Sequence, residues 1–389
     1  MPSIRGGGSR LRDFAEGLSL YVHVPFCRRK CHYCAFYSVE PAEFPQELFL
    51  DSLGKEIAGW KRSFHSSRPI RTLYIGGGTP TMLSLRQWER LATLLEENFD
   101  LSELEELTVE ANPESLKDVH LDFWTSWRAT RISLGIQSLR DPELLRLGRL
   151  HDSRQALDAL DASLASGLVT SCDVIFGIPG QNLQSWHDTV RTLVHKGVFH
   201  ISAYELSIEP GSAWADAPPD DVPSGYPLYR WAQYYLSLKG YCQYEVSSFS
   251  RDRSWCLHNL GYWYGRDCIG LGPSAWGFIN GRRYKNVASL EAYCKRLGAG
   301  RSVKEFSERL AKDKAASEAA ILAMRTSWGL DLERFESRFG PECAKRLVSR
   351  LGQIPAHYLL HQGKKTALTP EGLRVGNSLW ELLLPGSLT

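Results

Sequence analysis

Residues Tyr21 to Phe36 read YVHVPFCRRKCHYCAF, a short alternating strand that runs straight into Cys27, Cys31 and Cys34 at C-x3-C-x2-C spacing. A loop that short can wrap three thiolates around one face of an iron–sulfur cubane. Structural zinc normally takes four protein ligands, and no fourth Cys or His stands at zinc-finger spacing. His23 and His32 are close in sequence, but strand alternation and the loop make them poor fourth ligands. Three thiolates on a four-iron cluster leave one iron without a protein ligand, and a small molecule can coordinate there. Arg28, Arg29 and Lys30 sit inside the loop. They either offset the negative charge of thiolates and cluster or form a merely solvated basic surface.

Outward from this strand the pattern repeats. Strand-like runs begin at Leu20 (LYVHV), Thr72 (TLYI), Leu107 (LTVE), Arg131 (RISLGI), Cys172 (CDVIF) and His200 (HISAYEL). Helical patterns separate them near 45–62, 85–98, 114–127, 142–147 with 153–166, 183–195 and 226–238. Six strands alternating with helices predict a parallel sheet with right-handed crossovers. Six units are too few for a closed eight-stranded barrel, so the expected fold is α/β, a curved partial (β/α)6 barrel. A seventh strand, YCQYEVSSF, leads into a Trp/Tyr/Gly-rich region from Trp255 to Tyr284. Three short helices follow at 311–326, 332–339 and 341–351, then a two-stranded wing at 358–368 and one helix at 369–384 that opens on a Thr-Pro-Glu cap. The expected organisation is a loose leader at 1–17, the partial barrel with a sheet extension at 18–300, and a small, mainly helical, winged-helix-like unit at 301–389.

The 46 basic and 44 acidic residues leave a net charge of +2. That balance gives no reason to expect nucleic acid or an acidic membrane surface as a partner. No apolar run approaches the roughly 18 residues a membrane span needs, and the polar, Gly-rich start lacks the core of a signal peptide. Cytoplasm is the default setting. Nine cysteines in such a chain favour metal or redox chemistry over a disulfide framework. Cys242, Cys256 and Cys268 are widely spaced and read as buried thiols. Twelve Trp and sixteen Tyr exceed the needs of a core this size. Most will pack, and the surplus can line a cavity for a flat ligand.

Polar residues mark the strand ends. IGGGTPT, Ile75 to Thr81, strips side chains from Gly76, Gly77 and Gly78 and lets backbone groups approach a ligand. It fits neither phosphate-binding glycine pattern. Glu110 ends the third strand and Gln137 the fourth. Asp173 lies on the fifth and Glu205 on the sixth. Polar residues in apolar strands need partners, and in a parallel barrel the strand C-termini converge on a ligand-binding mouth. Arg149, in LGRLH, can face a carboxylate or ribose there, or lie on the surface.

A C-x3-C-x2-C loop after a first strand, with Tyr33 before the last Cys, resembles the radical S-adenosylmethionine (SAM) superfamily. The resemblance implies a 4Fe–4S cluster on Cys27, Cys31 and Cys34. Its open iron would bind the amino and carboxylate groups of SAM, and an electron from the cluster would break a C–S bond to give a 5′-deoxyadenosyl radical. Gly77, Gly78 and Thr79 resemble the superfamily's glycine motif, whose backbone holds the methionyl amino group. VEANPE, LGIQS, LGRLHD, DVIFGIPGQ, YELSIEPG, YEVSSF, HNLGYW and LTPEGL follow in order. Together they resemble the family that contains the oxygen-independent coproporphyrinogen III dehydrogenases and the heme chaperones. That likeness implies that Tyr21, Tyr33, Glu110, Gln137, Arg149 and Asp173 contact SAM.

Cys34 is followed by Ala35 and Phe36 rather than by a C-G-C ending, and 26 residues precede Cys27. Both features resemble the chaperone branch. HNLGYW, from His258, resembles its H-N-x-x-Y-W motif and makes His258 the candidate heme-iron ligand. Trp276 stands where many relatives carry His. The implied function is binding heme and passing it to an acceptor protein, with a flavodoxin or ferredoxin as electron donor. The alternative is oxidative decarboxylation of coproporphyrinogen III.

Overall fold

The computed structural model describes residues 14–63 and 68–386. Strands β1 (Leu18–Val24), β2 (Ile70–Gly77), β3 (Glu106–Ala111), β4 (Arg131–Gln137), β5 (Val169–Phe176) and β6 (His200–Glu205) pair in parallel in chain order. Helices α1 (Gln46–Ser63), α2 (Leu85–Glu96), α3 (Asp118–Ser126), α4 (Asp141–Leu147), α5 (Ser153–Ala165), α6 (Leu183–His195) and α7 (Gly225–Leu238) connect or follow them. The expected six-unit partial barrel is present. Local chemistry sets the helix starts: Ser84 with Gln87, Asp152 with Gln155 and Asn182 with Ser185 form reciprocal capping boxes at α2, α5 and α6.

Alternation along the strands makes two environments. Leu20, Val22 and Val24 of β1 join the core under the helices. Ser19, Tyr21 and His23 face the lumen, where Ser19 meets Thr72 (2.8 Å) and Tyr21 meets Tyr74 (6.2 Å between centroids).

The anticipated seventh strand is a tight hairpin. β7 (Cys242–Gln243) and β8 (Ser248–Ser250) pair antiparallel, and β8 closes on β6. The intervening chain turns back through the Ser248 N–H donated to the Glu245 carbonyl. The aromatic-rich region then adds helix α8 (Leu257–Trp263) and four strands on the other side of β1: β9 (Asp267–Leu271), β10 (Trp276–Ile279), β11 (Arg282–Asn286) and β12 (Lys304–Arg309). Helix α9 (Leu290–Gly298) lies between the last two and packs on α1. The sheet therefore runs to Arg309, past the expected boundary at 300, because β12 pairs with β11 along its whole length.

Helices α10 (Lys312–Ala323), α11 (Leu332–Phe339) and α12 (Pro341–Leu351) enclose a second hydrophobic cluster. The wing is β14 (Leu359–Gln362) against β15 (Lys365–Leu368), with β13 (Leu330–Asp331) added beyond β15. The expected final helix divides at Val375 (φ −114°, ψ 19°) into α13 (Pro370–Arg374) and α14 (Gly376–Glu381).

Residues 1–13 of the expected leader lie outside the described residues. Phe14 is not loose: it is buried against Trp255, Tyr264 and Trp328. Among the described residues, no helix is long and apolar enough to cross a membrane.

Helix α8 floors the barrel. Glu106 on β3 accepts the N–H groups of Leu257 (2.8 Å) and His258 (2.9 Å) and pairs with Arg131 on β4. Arg131 in turn donates to the carbonyls of Ser254 and Trp255. These contacts occur where the strands begin, whereas the cysteine loop leaves β1 where the strands end.

Candidate functional site

The Cys27–Cys34 loop is pinned at several points. Cys27 donates its N–H to Val39 O (3.0 Å) and His32 donates its own to Leu147 O (3.1 Å). Arg29 donates to the carbonyls of Gly148 and Arg149, and Lys30 to that of Gly211. These two cations latch the loop to the barrel rim, a use the sequence reading did not foresee.

The cation that reaches a thiol is Arg149, buried in the rim. Gly148 ends α4 at φ +74°, in the left-handed region, and this turns the chain so that Arg149 points inward. Its Nη1 donates to Cys31 Sγ (3.4 Å), and its Nη2 donates to Asn112 Oδ1 (2.7 Å) and Gly135 O (3.1 Å). Asn112 Nδ2 donates to Thr79 Oγ1 (2.9 Å), which lies 3.4 Å from Cys27 Sγ. A chain of polar contacts thus runs Cys27–Thr79–Asn112–Arg149–Cys31. Asn112 was missed in the sequence, although VEANPE places it two residues beyond Glu110. Burial opposes the charge on Arg149, but Tyr33, Cys31 and Glu114 outweigh it and hold the guanidinium protonated. As thiols, Cys27 and Cys34 are pushed up by burial, Cys34 to about 11.

This donor set fits a multi-iron cluster. Among the described residues, no three His, Cys, Asp or Glu side chains converge on a single ion. A cubane meets each thiolate with a different iron, so its ligands need not share one point. The expected poor ligands are engaged elsewhere: His32 Nδ1 donates to Arg146 O, and His23 Nε2 donates to Tyr37 O. His23 Nδ1 lies 3.0 Å from the Tyr21 hydroxyl, and burial lowers its pKa to about 4.

The glycine motif is packed to contact. A Cβ on Gly76 would fall 2.6 Å from the Glu110 carboxylate, and one on Gly77 would fall 2.5 Å from the His23 ring. A Cβ on Gly78 would meet Phe26 O at 2.7 Å. Gly77 donates its N–H to Glu110 Oε2 (3.0 Å), and Gly78 donates to Val24 O (2.8 Å). Glu110 also accepts from the Tyr74 hydroxyl (2.8 Å). Its pKa is raised to about 7 by burial, with nearby Asp173 adding to the effect. Asp173 accepts from Ser133 (2.9 Å), and burial raises its pKa too.

Gln137 stands at φ +64° where the β4–β5 register slips. A non-glycine residue holds that conformation only when its surroundings enforce it. A Cβ on neighbouring Gly135 would fall 2.9 Å from Asn112 Oδ1 and 3.1 Å from Gln137 Nε2, so glycine keeps this cradle open. Buried Arg149 Nε has no hydrogen-bond partner and can still take an anion. Tyr33 packs against Trp214 (6.5 Å between centroids).

A cavity of about 1160 Å³ begins beside Phe36, passes Tyr21 and Glu110, reaches His258 and Tyr262, and opens between the sheet extension and the helical unit. His258 lies on the barrel floor, 1% exposed. Its Nδ1 is 2.9 Å from Thr72 Oγ1 and its Nε2 is 2.8 Å from the Tyr262 hydroxyl. Burial, with Arg266 adding, lowers its pKa to about 3 and keeps the ring neutral. Thr72 lies five residues before Gly77, which puts His258 about 16 Å below the glycine motif. Both ring nitrogens are engaged, so the candidate iron ligand is not presented to the cavity as it stands.

The Radical SAM superfamily pattern matches residues 21–193. That membership implies a 4Fe–4S cluster and SAM. The chain is 35% identical over 391 residues to the heme chaperone HemW of Mycobacterium tuberculosis, covering 95% of each chain. It is 31% identical over 376 residues to the heme chaperone HemW of Lactococcus lactis, covering 94% of this chain and 97% of that one. The solved structure of the coproporphyrinogen III oxidase HemN from Escherichia coli, described as a radical SAM enzyme, superposes with a TM-score of 0.83 at 22% identity. The match covers 98% of this chain and 94% of that chain and shows a shared fold. With full-length relatives above 30% identity, the chain belongs to the HemW family of the radical SAM superfamily.

Proposed function

We propose that this chain is a heme chaperone that carries a 4Fe–4S cluster and SAM at its barrel mouth and hands heme to an acceptor protein. The observation that carries the reading is the cavity. At about 1160 Å³ it exceeds the usual range of small-molecule pockets, and one continuous space joins the cysteine loop to the H-N-x-x-Y-W helix.

In this reading Cys27, Cys31 and Cys34 take three irons, and Arg149 balances the negative charge beside Cys31. Gly77 and Gly78 have committed their N–H groups, so what they offer an ammonium is carbonyl oxygen. Glu110 supplies a carboxylate beside them. Gln137, Asp173, Tyr21 and Tyr33 complete the surroundings of SAM. When reduced by a flavodoxin or ferredoxin, the cluster supplies the electron for cleaving a C–S bond of SAM. His258 ligates heme iron through Nε2 once the Tyr262 hydroxyl is displaced. Thr72 on Nδ1 then fixes the ring, as partners of metal-bound imidazoles do. Nine free cysteines suit the reducing cytoplasm.

The test is an anaerobic heme titration followed in the Soret band, transfer to an apo-hemoprotein, and a parallel incubation with SAM, reductant and coproporphyrinogen III. We expect a Soret shift that His258→Ala alters, heme transfer, and no protoporphyrinogen. Protoporphyrinogen as product would replace the chaperone reading with the dehydrogenase one.

A further inference from the structure

The outer end of the cavity is a slot with two unlike walls. One wall is the sheet extension, where pairing aligns Trp276 with Lys285 and Lys285 with Phe306. Trp276 is 51% exposed, touches Phe306 edge-on (5.8 Å, 63°) and lies under Lys285 Nζ (5.6 Å). A half-exposed indole beside a large cavity is a stacking surface without an occupant. The facing wall is α10, whose Ala315, Ala319 and Ala323 recur every four residues on one face and make a flat strip of small side chains.

The charges at the rim are uneven. Glu308 and Glu318 both pair with Arg283, and Asp331 caps α11 by accepting the Arg334 N–H (3.1 Å). Arg334 and Arg338, four residues apart on α11, also line the cavity. Among the described residues, neither has a carboxylate within ion-pairing distance. A flat, apolar ring system carrying two neighbouring carboxylates matches this combination of aromatic wall, alanine wall and paired guanidiniums.

We infer that the porphyrin plane lies in this slot, with Trp276 on its face and its two propionates on Arg334 and Arg338. The inference rests on the heme reading above and assigns Trp276 a stacking role at a position where a ligand might otherwise be sought.

The test titrates heme, and heme dimethyl ester as a probe with both carboxylates capped, into the anaerobically reconstituted full-length protein. Wild type should bind heme about tenfold more tightly than the ester. The double variant Arg334→Gln/Arg338→Gln should bind heme only as well as the ester, whereas Arg154→Gln, exposed on α5, should keep the preference. Trp276→Ala should weaken both probes alike, by about fivefold. A double variant that keeps the wild-type preference, or Trp276→Ala binding both probes as wild type does, overturns the slot and leaves heme binding intact. A wild type that takes up neither probe overturns the heme reading and the slot with it.

Discussion

At the residue scale, the polar chain from Cys27 through Thr79, Asn112 and Arg149 to Cys31 is the part of the site that ties separate strand ends together. The cysteine triad could be read in the sequence because its spacing is local. Arg149 could be read only as a candidate, since its use depends on a loop about 120 residues away. Asn112 was invisible for the same reason. Glu110 gives a test by pH. Its folded pKa, near 7, lies above the ordinary carboxylate value, so the folded chain favours the protonated form. The resulting penalty on folding is absent below the unfolded pKa and grows as pH rises through 7. Glu110→Gln should therefore match wild type in melting temperature at acid pH and exceed it above pH 7. SAM should bind wild type more tightly as pH rises through about 7, because the carboxylate then faces the ammonium, and this trend should vanish in Glu110→Gln. Calorimetry across pH reads both effects, and a pH-independent affinity in wild type would remove Glu110 from the ligand contacts.

At the element scale, α4 and its stop decide where Arg149 points. Gly148 and Gly167 both sit at positive φ, +74° and +80°. An added Cβ at Gly148 meets the His32 ring at 3.0 Å, whereas one at Gly167 meets nothing within 4 Å. Gly167→Ala should cost about 1 kcal/mol from backbone strain alone. Gly148→Ala should cost about 2 kcal/mol or more and also lower the iron retained after reconstitution. Urea unfolding and iron analysis of the two variants separate these effects; equal losses at both positions would show that the α4 stop does not position the site. The six parallel strands were readable because apolar alternation and capping residues are local signals. The four-stranded extension was not, since β9 adds to β1 across about 250 residues of chain. Short β7 and β8 were merged into one strand because the turn between them carries no glycine or proline.

At the scale of the whole molecule, the barrel mouth and its floor are two ends of one space. The cysteine loop closes the first, α8 the second, and the helical unit walls the exit. The family likeness pointed to both ends, but the composition alone offered only a surplus of Tyr and Trp. The central claim is that three thiolates hold a cubane whose fourth iron takes SAM. Electron paramagnetic resonance of the reduced, reconstituted protein, recorded with and without SAM, tests it most directly. The account predicts a 4Fe–4S signal that shifts on adding SAM and disappears when Cys27, Cys31 and Cys34 are all replaced by alanine. A signal indifferent to SAM, or one that survives the triple substitution, would contradict it.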